Sequence, residues 1–154
     1  GVRVLGHPDP GKRIGALSLT IDGVPHELAA SILNREAAIG VRNGCFCAHP
    51  YVKELLHVSP EEDSRLTAEV MAGNKSNMPG MVRASFGCYS NEADVEALVE
   101  ILERIVRKEH KGHYVQDKRS GAFLVQGYDI PYHKYFSFMN SPQSARKRAY
   151  SEAS

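Results

Sequence analysis

Between Ile14 and Ile21 apolar residues fall at every second position, with Leu17, Leu19 and Ile21 on one side. That period predicts a strand with one buried face. A shorter run, Val2-Arg3-Val4-Leu5, predicts a partner strand. His7-Pro8-Asp9-Pro10-Gly11 between them is dense in turn formers, so the two runs are expected to pair as a hairpin. A third strand is expected over residues 39–42, from Ile39 and Val41, and a fourth over residues 81–86.

The period then changes. Leu28, Ala29, Ile32 and Leu33 recur at helical spacing and predict a helix over residues 25–36, with Pro25 in its first turn. His26, on that turn, is read as a solvated or capping residue. Tyr51, Val52, Leu55 and Leu56 predict a short helix. Ser59-Pro60-Glu61-Glu62 combines a Ser cap, a proline at the first position and Glu three residues after the cap, which starts another helix. Leu66, Val70 and Met71 give it an apolar stripe. Residues 73–80, rich in Gly, Asn, Ser and Pro, predict a loop. Ser90-Asn91 caps the most regular helix, whose stripe is Val95, Leu98, Val99, Leu102, Ile105 and Val106. Beyond Gly112 the chain turns aromatic, with a small hairpin expected around Ser120-Gly121. Residues 140–154 are polar and expected to be disordered. The whole predicts a two-layer α/β sandwich: a small, mostly antiparallel sheet with helices on one face.

Composition narrows the function classes. The chain has 154 residues, 42% hydrophobic and 24% charged, with a formal net charge of +1. That balance offers no strong field for nucleic acid or membrane surfaces. No apolar run is long enough to cross a bilayer, and the N-terminus lacks the apolar stretch of a signal peptide. Three cysteines, an odd number, argue against a disulfide framework and fit a reducing, cytoplasmic compartment. The absence of an initiator methionine fits a fragment.

Two of the three cysteines lie in Arg42-Asn43-Gly44-Cys45-Phe46-Cys47-Ala48-His49-Pro50. A turn-prone Asn-Gly pair precedes the thiols and a proline follows, so they are expected on a loop at a strand end. Read from the residues alone, either thiol could be a small buried hydrophobe. The terms Arg42, Gly44, Cys47, Ala48 and Pro50 resemble the cysteine-bearing loop of the cysteine desulfurase and selenocysteine lyase group of class V aminotransferases, pyridoxal-phosphate enzymes of fold type I. The Gly-Cys-Phe-Cys variant is also similar to molybdenum-cofactor sulfurases. Val82-Arg83-Ala84-Ser85 and Tyr89-Ser90-Asn91 resemble further motifs of that family, in the same order.

This resemblance implies a C-terminal small domain over residues 1–109, carrying an insertion at about 57–79, since Cys47 and Arg83 stand 36 positions apart. Residues 110–139 would be an aromatic extension. The insertion is expected to form a partial lid. It implies Cys47 as the nucleophile that takes sulfur from a cysteine-like substrate, with Cys45 a packing residue or secondary thiol. Arg42 and His49 could favour the thiolate. Arg83, a charge on an otherwise apolar strand, would fork onto the substrate carboxylate, against the alternative of a structural ion pair. Pyridoxal phosphate, its Schiff-base lysine and the phosphate-binding groups would belong to a large N-terminal domain. The chain by itself is therefore expected to be inactive and to bind the cofactor poorly. A homodimer and a sulfur-acceptor protein are further implied partners. Two other readings stay open: a class V aminotransferase or lyase without desulfurase chemistry, and a standalone thiol carrier or redox module. A metal site from Cys45, Cys47, Cys88 and His49 is disfavoured, because Cys-x-Cys is weak ligand spacing.

Overall fold

A computed structural model describes residues 1–128; the readings for 129–154 lie outside the described residues. Four strands form one antiparallel sheet: β1 (Val2–Leu5), β2 (Ala16–Ile21), β3 (Arg42–Gly44) and β4 (Met81–Ser85). Their spatial order is β1-β2-β4-β3. β1 and β2 pair as the expected hairpin, with Val4 opposite Leu19. β4 sits centrally, aligning Val82 with Leu19 on one side and with Asn43 on the other. Alternation then assigns the faces. Leu17, Leu19, Ile21, Val82 and Ala84 share one face, while Ser18, Met81, Arg83 and Arg42 share the other.

Two helices cover the apolar face. Helix α1 (His26–Ala37) buries Ala29, Ile32 and Leu33. It ends where Ala38 turns left-handed at φ 54°, and the Ile39 N–H reaches back to the Leu33 carbonyl at 3.0 Å. Of the two further helices before β4, α2 spans His49–Leu55 and α3 spans Pro60–Met71. The last, α4 (Glu92–Val106), opens with a reciprocal cap: the Asn91 side chain takes the Asp94 N–H and the Asp94 carboxylate takes the Asn91 N–H. It buries Leu98, Ile101, Leu102 and Ile105 against α1 and the sheet. Each such side chain contributes about 1.5–3 kcal/mol by leaving water. Val95, Val99 and Val106 of the expected stripe stay half-exposed instead, because the contact face of α4 centres on Ile101.

Several expected bounds shift. Ile14 is 85% exposed and lies outside β2. Ile39 and Val41 pack against the core, but the strand they were expected to form starts only at Arg42. Phe86 falls just past β4. In α3 the Ser59 cap holds, its hydroxyl accepting the Glu62 N–H at 3.2 Å. Met71 does not join Leu66 in the interior and is exposed.

The opposite face of the sheet carries a second, smaller core. Met81 meets Cys45 and Val52 there, with Leu5, Phe46 and Leu56 at its margin. Strands β5 (Tyr114–Gln116) and β6 (Phe123–Val125) make the expected separate hairpin. It docks on α1 through the Ser31 hydroxyl, which donates to the Phe123 carbonyl at 2.9 Å. It also meets the loop before β4, where the Lys75 N–H donates to the Lys118 carbonyl at 2.8 Å. The turn between β5 and β6 requires glycine at residue 121: φ is +79°, and a Cβ there would stand 2.7 Å from the Lys75 carbonyl oxygen. Among the described residues no helix is long and apolar enough to cross a membrane.

Candidate functional site

β3 ends at Gly44, with φ +101°, and the chain enters a tight turn. The Ala48 N–H closes it on the Cys45 carbonyl at 2.8 Å. Both central residues, Phe46 at φ 54° and Cys47 at φ 64°, are left-handed. Neither is glycine, so each stores roughly 1–2 kcal/mol of backbone strain. The two left-handed corners reverse the chain between β3 and α2 and send the side chains of residues 45 and 47 to different sides. Cys45 points inward and is 6% exposed, whereas Cys47 is exposed.

The inward thiol is held. Cys45 Sγ donates to the Pro79 carbonyl at 3.1 Å. Burial pushes this thiol above the usual cysteine range, and the nearby Lys53 charge offsets part of that. Lys53 itself is bound to Asp63, which ties α2 to α3. A small cavity of about 180 Å³ lies beside Cys45, walled by His49, Lys53, Leu66, Met78 and Pro79.

Arg83 projects from the middle of β4 on the same face as Met81. Its guanidinium carbon stands 5.2 Å from the Phe46 ring centroid, a cation–π distance. Its Nε is buried and has no hydrogen-bond partner among the described residues. Nor does an acid pair with it there. Its direct cross-strand partner is Arg42. Two like charges facing each other across a ladder are unfavourable unless an anion joins them. The structural ion pair weighed for Arg83 is therefore not what the described residues make.

The sequence-derived candidates thus separate. Cys47 and Arg83 are linked through Phe46, the neighbour of one and the stacking partner of the other. Arg42 lies across from Arg83 rather than on a thiol, and His49 begins α2 on the wall of the Cys45 cavity. No hydrogen bond or ion pair joins either to Cys47 among the described residues.

His26 overturns its reading. It is neither solvated nor a cap: its side chain is 10% exposed. Its Nε2 lies 3.0 Å from the Met78 carbonyl and its Nδ1 3.2 Å from the Asn43 amide. Burial pushes the imidazole below its ordinary value, and the Met78 carbonyl offsets part of that. Glu27, 12% exposed, stands 3.1 Å from the same Nε2. Burial pushes its carboxyl up to about 7. The lone histidine gave no signal in the sequence, because its partners come from positions 43 and 78.

An antiparallel four-stranded sheet with α1 and α4 packed on one face, and a thiol and a guanidinium on the other, defines a two-layer α/β protein. The family model described as aminotransferase class-V matches residues 1–98. The chain belongs to the class V aminotransferase family. It is 31% identical over 105 residues to a probable cysteine desulfurase of Vibrio cholerae serotype O1, an alignment covering 68% of this chain and 20% of that protein. It also resembles the solved apo structure of a cysteine desulfurase from Thermococcus onnurineus NA1, at 27% identity and a TM-score of 0.51. That likeness covers 70% of this chain and 21% of the other. The chain thus spans about a fifth of the length of both relatives.

The family implies pyridoxal phosphate in full-length enzymes. The set gathered here, Arg42, Phe46, Cys47 and Arg83, does not fit that cofactor. It holds no amine to join the aldehyde and no carboxylate to face a pyridine nitrogen. What it does fit is a carboxylate: the orphaned Nε of Arg83 and the paired cations of Arg42 and Arg83 want an anion.

Proposed function

We propose that this chain supplies the sulfur-accepting half of a cysteine-desulfurase site. Arg83 holds the carboxylate of a cysteine-like amino acid through its forked donors, which fix orientation as well as position. The Cys47 thiolate then takes the substrate sulfur. In net terms cysteine and the enzyme thiol become alanine and an enzyme persulfide: the carbon–sulfur bond breaks, a sulfur–sulfur bond forms, and no outside oxidant is needed. Pyridoxal phosphate belongs to the rest of the protein in this reading, and so does the lysine that carries it. The intact enzyme is a homodimer in the cytoplasm, and the persulfide passes to an acceptor protein.

One observation carries the reading: a half-buried guanidinium, its Nε without a hydrogen-bond partner among the described residues, stacked on the residue next to an exposed thiol. A strained turn supports it, because strain persists where the surroundings enforce a geometry. Residues 57–79 then act as a cover over Cys45 more than as a lid over Cys47, since Pro79 and Met78 wall the Cys45 side.

The test is Cys47→Ser in the full-length protein, with alanine and persulfide sulfur measured from cysteine. Loss of sulfur transfer by at least about a hundredfold is expected when the sole nucleophile is removed. Unchanged alanine release would end the desulfurase reading and leave a class V enzyme of other chemistry.

A further inference from the structure

The sulfur-accepting thiol and the guanidinium leave His26 without a part. The ring lies at the start of α1, and its two nitrogens face opposite kinds of group. Nε2 faces acceptors, the Met78 carbonyl at 3.0 Å and the Glu27 carboxyl oxygen at 3.1 Å, with the hydrogen bond running to the carbonyl. Nδ1 faces a donor, the Asn43 amide nitrogen at 3.2 Å. That arrangement fixes one neutral tautomer, with the proton on Nε2 and the lone pair on Nδ1.

The partners come from stretches far apart in sequence, yet both lead to the same turn. Asn43 is two residues before Cys45. Met78 precedes Pro79, whose carbonyl accepts the Cys45 thiol at 3.1 Å. Gly80 packs closely between the ring and β3: a Cβ there would fall 2.5 Å from His26 Nε2 and 2.6 Å from the Gly44 Cα. β3 is three residues long, lies at the sheet edge, pairs with β4 alone, and is otherwise packed by α1.

We propose that His26 is a positioning residue, whose imidazole clasps β3 to the loop before β4 and so places the Cys45–Cys47 turn against Arg83. It acts through Asn43 and Met78 and touches no reacting atom. Its meaning for sulfur transfer rests on the reading of Cys47 and Arg83 given above; the clasp itself does not.

The test reads Cys45, which that reading does not need. In a chain carrying Cys47→Ser and Cys88→Ser, exchange with an aromatic disulfide, which leaves a mixed disulfide on the protein and releases the aromatic thiolate, reports Cys45 alone. His26→Ala is expected to speed labelling about tenfold, the factor for a local opening that loses the hydrogen bond holding it shut. His26→Gln, whose amide can still donate to Met78, is expected to restore most of the protection. A rate within twofold of the parent in His26→Ala overturns the proposal. So does equal deprotection in both variants, which would make ring bulk the cause. Should His26→Ala fail to fold, nitrogen-15 NMR of the unsubstituted chain decides: an Nε2–H tautomer supports the clasp, and an Nδ1–H tautomer overturns it. Failure of the Cys47→Ser assay with intact Cys45 protection would sink the function and leave the clasp standing.

Discussion

The guanidinium of Arg83 lies over the ring of Phe46, 5.2 Å from its centroid, and Phe46 leads directly into Cys47. The contact couples the placement of a cation on β4 to the conformation of a turn after β3. Phe46 takes a left-handed backbone that a bulky residue seldom adopts, and its ring lies against the second core beside Met81. A residue held in that conformation by packing on one side and a cation on the other keeps the adjoining thiol outside.

Arg83→Lys keeps the charge but loses the planar fork. In the full-length protein we expect the KM for cysteine to rise about 10- to 100-fold, with kcat changed less. Steady-state kinetics check this. Unchanged KM would remove Arg83 from the substrate and return it to the fold.

The three thiols should differ in rate by burial alone. Mass-resolved labelling of the native chain is expected to modify Cys47 and Cys88 at least about tenfold faster than Cys45, whose exposure is 6%. Labelling Cys45 first would contradict the turn geometry.

Glu27 makes stability depend on pH. Its folded value of about 7 lies above its ordinary 4.5, so the folded state favours the protonated carboxyl. That contribution is fully present below about pH 4.5 and is lost as pH rises through 7. Glu27→Gln removes the titration. The variant should melt within about 1 °C of the parent at pH 4.5 but a few degrees higher at pH 8, the scale expected for about 1 kcal/mol. Thermal melts at the two pH values read this, and a constant difference would refute it.

Glu36 works in the opposite sense. Burial raises its carboxyl, but the Gly112 and Lys111 N–H groups, the Tyr114 hydroxyl and Arg104 outweigh that and hold it below its ordinary value. Its oxygens accept from all four, at 2.9–3.0 Å, joining the end of α1 to α4 and the β5–β6 hairpin. Its stabilising effect is present above pH 4.5 and is lost as pH falls. Glu36→Ala strands several donors, and we expect a loss of about 2–3 kcal/mol at pH 7 that narrows in acid, read by urea denaturation.

The elements themselves were plain in the sequence. Alternation marked β2, and the i, i+3, i+4 spacing marked α1 and α4, because each of these buries one face and must repeat with its own period, while β1 and β4 showed as short apolar runs. The Arg42–Pro50 and Val82–Ser85 motifs marked the candidate site. β3 was misplaced because Ile39 and Val41 are apolar for packing beneath α1, not for a ladder.

What the order of residues determined, then, was local: which segments curl or extend, and which thiol and which arginine to watch. Only the tertiary structure decided that Cys45 turns in while Cys47 turns out, that Arg83 stacks on the Phe46 ring, and that His26 is enclosed. Those outcomes depend on groups brought together from distant positions, Met78 and Pro79 above all, and no local period records a contact made across such distances.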